Sequence, residues 1–133
     1  MRFLKVRLRS RHEVLKKLEQ GGFASGEIDE TLQVLEDKKL LDDGRFARWW
    51  TEDRALAGKY GPLRVRAELE AKGISKEFIE SCLRESYPVK RQKEILKGMA
   101  LKALGDPGKV AAKALRNGFD EEMVEEILLS SML

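Results

Sequence analysis

The chain reads as an all-α protein made of tandem three-helix repeats, helix-turn-helix-like units in an elongated, curved arrangement. Three observations predict this. A Gly-apolar pair recurs at Gly22-Phe23, Gly73-Ile74 and Gly118-Phe119, with glycines 51 and 45 residues apart, and each is followed by apolar residues six and ten positions beyond the Gly. Those residues are Ile28 and Leu32, Ile79 and Leu83, and Val124 and Leu128. An amphipathic stretch also precedes each glycine: Leu15 and Leu18, Val65 and Leu69, then Val110, Ala114 and Leu115. Finally, 37% of residues are charged, 7% are aromatic and only three are proline, which suits neither a disordered chain nor a β-sandwich.

The elements follow in order. In the opening Arg2 to Arg9, Leu4, Val6 and Leu8 suit a strand or a helix. A lone strand would lack a partner, so a helix is expected. Ser10 with Glu13 is a capping-box pattern that starts the next helix, and Gly22 stops it. Ser25 is placed to cap the second helix and Asp42 the third, whose Phe46, Trp50 and Ala57 share a face. Pro62 opens the next helix, Gly73 ends it, Ser75 is placed to cap its successor and Pro88 terminates that one. Ile95, Leu96, Met99, Ala100, Ala103 and Leu104 mark a further helix. Asp106 can cap the helix that begins at Pro107, and Asp120 the one after Gly118. The expectation is eight helices in three units: residues 1–60 with a basic N-terminal segment, 61–105, and 106–133 without its last helix.

A chain of 133 residues supports one core or a few small units that share one. No stretch approaches the roughly 20 apolar residues of a membrane span, and the opening alternates charge where a signal peptide would be continuously apolar. A cytoplasmic location is expected. One cysteine and one histidine exclude an internal disulfide and leave too few ligands for structural zinc. Neither GxxxxGK[ST] nor GxGxxG occurs. His12 reads as an exposed helix residue, Cys82 as a small buried hydrophobe beside Ile79 and Leu83, and Asp42-Asp43 as capping groups. No catalytic residue, metal site or cofactor is expected, and the chain does not read as an enzyme.

Charge is segregated. The net +3 divides into +5 over residues 1–20, −3 over 21–83, +6 over 84–116 and −5 over 117–133. Such blocks can steer a polyanion or an acidic protein surface. Arg64, Arg66, Lys90, Arg91 and Lys93 are the candidate partner or nucleic-acid contacts, because they lie in or beside a basic block on polar positions of amphipathic helices. Arg7, Arg9, Arg11, Lys16 and Lys17 crowd the N-terminus. Adjacent side chains on a helix point about 100° apart, so Trp49 and Trp50 cannot both face one core. Trp50, in line with Phe46, is expected inside and Trp49 partly exposed.

The run Leu41-Asp42-Asp43, Phe46-Ala47, Arg54, Gly61-Pro62, Arg64-Val65, Glu68-Leu69 and Lys72-Gly73-Ile74 resembles the central signature of the RecX family, regulatory proteins that restrain the RecA recombinase. Ser10-Arg11, Glu13, Lys17-Leu18 and Gly22-Phe23 resemble that family's first repeat, and Gly118-Phe119 with Val124 and Leu128 its third. Trp49-Trp50 departs from the pattern, and the chain ends soon after the second helix of the third repeat. The resemblance implies a monomeric, non-enzymatic protein that binds RecA and its filament on single-stranded DNA. It would lie in the filament groove and suppress ATP hydrolysis and strand exchange, modulating recombination, repair and the SOS response. The alternative is direct DNA binding by tandem helix-turn-helix-like units, with weak DNA contact also compatible with the first reading.

Overall fold

The computed structural model describes residues 7–102 and 106–132. Among them are eight helices and no strand: α1 (Arg11–Gln20), α2 (Ser25–Asp37), α3 (Asp43–Leu56), α4 (Pro62–Ala71), α5 (Lys76–Ser86), α6 (Val89–Lys102), α7 (Pro107–Arg116) and α8 (Glu121–Met132). Residues 7–10 are not helical, which shortens the helix expected at the opening; residues 2–6 of it lie outside the described residues. So do Ala103 and Leu104, expected to extend α6.

Local chemistry sets the helix boundaries. Ser10 Oγ accepts the Glu13 amide at 3.1 Å while Glu13 Oε1 accepts the Ser10 amide at 3.0 Å, a closed capping box. Asp42 and Asp106 accept the amides of Arg45 and Lys109, and Asp120 accepts that of Met123. Asp43 takes a different role from its neighbour, accepting the Arg11 amide at 2.8 Å and so capping α1 from across the fold. Pro62 and Pro107 each occupy a first helical position. Two expected caps are corrected: Ala24, not Ser25, precedes α2, and Ser75 precedes α5 without a side-chain bond to it. The residue types suited capping, but their hydroxyls do not engage the amides.

Helix packing is local. α1 packs on α2; α3, α4 and α5 pack mutually; α6, α7 and α8 do the same. The units expected at 1–60 and 61–105 separate α3 from α5, the pair most extensively packed in the central bundle. The third unit, expected to lack a helix, has α6 as the companion of α7 and α8. Val14, Ile28, Leu32, Leu35 and Leu41 form a small core between α1 and α2. A larger one runs from Phe46 through Val65, Leu69, Ile79 and Leu83 to Val110, Phe119 and Val124. Each such side chain contributes roughly 1.5–3 kcal/mol on burial. The inner face of α3 is Phe46, Ala47, Thr51 and Ala55; Ala57, expected on that face, is exposed beyond the helix end. The buried Thr51 hydroxyl donates to the Ala47 carbonyl at 2.7 Å.

The repeats meet through their glycine turns. Gly73 and Gly118 have φ of +74° and +92°, a conformation that favours glycine. A Cβ built on Gly73 would come within 2.6 Å of His12 Cβ, and one on Gly118 within 2.2 Å of the Arg64 amide nitrogen. His12, expected to be exposed, is half-buried because α1 rests there. The second joint is tied further. The Gly61 amide donates to the Asn117 carbonyl at 2.7 Å, the Leu63 amide to the Gly118 carbonyl at 3.0 Å, and Asn117 Nδ2 to the Lys59 carbonyl at 2.9 Å.

Candidate interaction surface

The most developed polar arrangement lies along α3 and α4, where Trp50 and Arg54 are one helical turn apart, as are Arg64, Glu68 and Lys72 over two turns. Packing α3 beside α4 brings the two rows together. Trp50 Nε1 donates to Glu68 Oε1 at 3.1 Å. Arg54 donates to both Glu68 oxygens, at 3.1 and 3.4 Å, and Arg64 Nε lies 3.7 Å from Oε2. One carboxylate therefore holds an indole and two guanidiniums.

Cations also stack on the rings. The Arg54 guanidinium lies 4.4 Å from the Trp50 ring centroid and 4.8 Å from that of Tyr60; Arg64 is 4.8 Å from Tyr60. Lys72 Nζ is 4.6 Å from Trp50 and 3.1 Å from Glu13 Oε2. Arg7 pairs with both Glu13 oxygens and adds a cation 5.7 Å from Trp50. Burial pushes the Glu13 carboxyl up, but hydrogen bonds from Arg7, the Ser10 amide and Lys72 outweigh it and hold the group below its ordinary range. Tyr60 is positioned from behind, its carbonyl accepting the buried Tyr87 hydroxyl at 3.0 Å. Arg7, Arg54, Arg64 and Lys72 against Glu13 and Glu68 leave this face positively charged. It can attract an acidic or phosphate-bearing partner and offer aromatic area beside the charge.

Trp50 is thus corrected from a core residue to a half-buried one with a bonded polar edge. Trp49 is also half-buried, 5.9 Å from Phe46 by ring centroid.

The five candidate residues are dispersed rather than gathered. Arg64 is exposed and donates to Asn117 Oδ1 at 3.2 Å. Arg66, on a different face of α4, binds both Glu80 oxygens at 3.0 and 3.1 Å. Arg91 Nη2 donates to the Ala55 carbonyl near the end of α3 at 3.0 Å, a favourable place for a cation. Lys93 pairs with Glu126 at 3.1 Å, joining α6 to α8, and Lys90 is exposed. Among the set, only Arg64 belongs to the aromatic cluster. In the sequence Arg54, Glu68 and Lys72 stand out only as signature positions, although the i, i+4 spacings of Trp50 with Arg54 and of Arg64, Glu68 and Lys72 carry a usable signal.

Among the described residues no three His, Cys, Asp or Glu side chains are placed to hold a metal. Cys82 is buried, and burial raises its thiol above the ordinary value. No described helix is long and apolar enough to cross a membrane.

The fold and this surface define an all-helical protein of tandem three-helix domains with a cationic, aromatic face. Residues 1–35 match the family model described as RecX, first three-helix domain, and residues 42–83 that described as RecX, second three-helix domain. The chain belongs to the RecX family. It is 33% identical over 135 residues to the regulatory protein RecX of Geobacillus kaustophilus, covering 95% of this chain and 50% of that protein. Against the Listeria welshimeri regulatory protein RecX the identity is 32% over 127 residues, with 93% and 46% covered. The chain therefore spans about half the length of these curated relatives. The crystal structure of RecX from Lactobacillus salivarius shares the fold, with a TM-score of 0.82 at 24% identity, covering 99% of this chain and 92% of that one. The second family domain, 42–83, contains α3, α4 and most of α5, the helices that pack together here.

Proposed function

We propose that this protein binds RecA and the filament RecA forms on single-stranded DNA, and restrains its ATPase and recombinase activities. It would act by occupancy, without catalysing a reaction, in the cytoplasm and in the regulation of recombination, repair and the SOS response. Family membership supports the class of function. The observation that carries the mechanism is the repeated joint, His12 on Gly73 and Arg64 on Gly118, which sets three-helix units in succession. A filament offers the same surface at regular intervals, and linked units engage successive subunits with the gain of effective concentration.

The exposed Arg64 and Lys90 are proposed as contacts. Arg66, Arg91 and Lys93 join them by exchanging intramolecular partners for those of the filament. The test is RecA's DNA-dependent ATPase with increasing amounts of this protein: inhibition below one protein per RecA supports the reading.

The cationic stack on Trp50 and Tyr60 favours a second reading, direct binding of single-stranded DNA. Tight binding to naked strands, lost steeply as salt rises, with RecA inhibited only through strand sequestration, would establish it instead.

A further inference from the structure

Several cations among the described residues are matched by carboxylates: Arg7 and Lys72 by Glu13, Arg54 and Arg64 by Glu68, Arg66 by Glu80, Lys93 by Glu126. One place breaks the pattern. A cavity of about 240 Å³ opens between the turn after α3, the end of α6 and the start of α7. It is lined by Lys59, Lys102, Lys109 and Lys113, with Ala57, Gly58, Met99 and Val110 completing the wall. Among the described residues, no carboxylate lines it and none of the four lysines forms an ion pair. The wall is firm. Met99 and Val110 are buried, the Lys59 carbonyl is held by Asn117, and Lys109's amide is bound by Asp106. All four lysines are exposed, and Lys59 Nζ lies 5.3 Å from the Tyr60 ring centroid.

Four like charges brought to one cleft from three elements repel one another unless an anion is present. An ammonium is a compact point charge without a fixed fork, suited to the clustered oxygens of phosphates more than to a single planar carboxylate. Buried Met99 and Val110 give the floor an apolar character.

We propose that this cavity is a phosphate-binding site that takes an oligophosphate anion, the chemistry shared by a nucleoside triphosphate and a nucleic-acid backbone. The site adjoins the Trp50 and Tyr60 surface through Lys59 and does not rest on RecA binding. Phosphate groups sit among the four ammonium heads and are released as salt competes for them.

Calorimetric titration of the full chain with inorganic tripolyphosphate, ATP and a short oligo(dT), at about 50 mM salt, tests the site. Lys109→Gln with Lys113→Gln is expected to weaken binding about tenfold or more, the loss of two charge-assisted contacts. Lys76→Gln with Lys97→Gln removes the same charge from exposed positions away from the cavity and is expected to change binding little. A loss confined to the Lys109/Lys113 pair with any of the three probes establishes the site, and the tightest probe identifies the source of phosphate. No binding of any probe, or equal losses in both double variants, overturns the proposal. All four substituted lysines are exposed, and circular dichroism verifies the helices of each variant. RecA inhibition measured on the same variants keeps the two readings separable.

Discussion

Arg64 lies against Gly118 so closely that a Cβ on the glycine would sit 2.2 Å from the Arg64 amide nitrogen. The contact joins the start of α4 to the turn between α7 and α8, and His12 repeats it on Gly73 one unit earlier. Gly22, the third glycine of the series, shares the positive φ at +80° but has nothing within 4 Å of its virtual Cβ. Two of the three recurrent glycines are therefore joints between units as well as helix stops.

That difference is measurable. Gly22→Ala should cost about 1 kcal/mol, the strain of a left-handed Ala. Gly118→Ala adds backbone overlap with Arg64 and should cost about 3 kcal/mol or more. Urea denaturation reads both; equal losses would show that the joint is not close-packed.

Lys39, at the end of α2, is the non-glycine residue with positive φ among the described residues, at +59°. Lys39→Gly removes that strain and is expected to raise stability by about 0.5–1 kcal/mol in the same assay. A loss of stability would mean that the Lys39 side chain or unfolded-chain entropy outweighs it.

Glu68 anchors Trp50, Arg54 and Arg64. Glu68→Ala leaves the partly exposed guanidiniums of Arg54 and Arg64 without their carboxylate and should cost about 1–2 kcal/mol, less than a fully buried pair because solvent screens the site. Losing the indole hydrogen bond should also shift tryptophan emission to the red. Unchanged emission would argue against the Trp50 bond.

The Glu13 carboxyl has a folded value lowered from its ordinary 4.5. Its contribution to stability is complete above that ordinary value and is lost as pH falls through the lowered one. Glu13→Gln should therefore be less stable than the parent at neutral pH, and the difference should shrink on acidification. A difference independent of pH would assign its effect to packing alone. Glu80, also lowered by Arg66, is half-buried in a pair that solvent screens and should contribute little to this profile.

Helix identity was legible in the sequence because period and punctuation agree, as at Ser10 with Glu13, Asp42, Pro62, Asp106 and the three glycines. The companion of each helix pair was harder to read. Periodicity shows that Phe46 faces a core but not that α5 supplies it, since that depends on the turn between α3 and α4 and on the angle it imposes. The site was less legible still. Arg66, Arg91 and Lys93 have the residue types of a binding face, yet each finds an intramolecular acceptor in another element. The helical spacing of Trp50 from Phe46 points it to the core, whereas its indole N–H needs a partner and finds one in Glu68, 18 residues away.

In the proposed function this fold regulates by occupying a RecA filament. Titrating it into RecA that is hydrolysing ATP on single-stranded DNA should depress the rate at substoichiometric ratios, with charge reversal at Arg64 and Lys90 weakening the effect at unchanged helical content. A hydrolysis rate unaffected even at excess protein, with RecA still assembled on the strand, would contradict it.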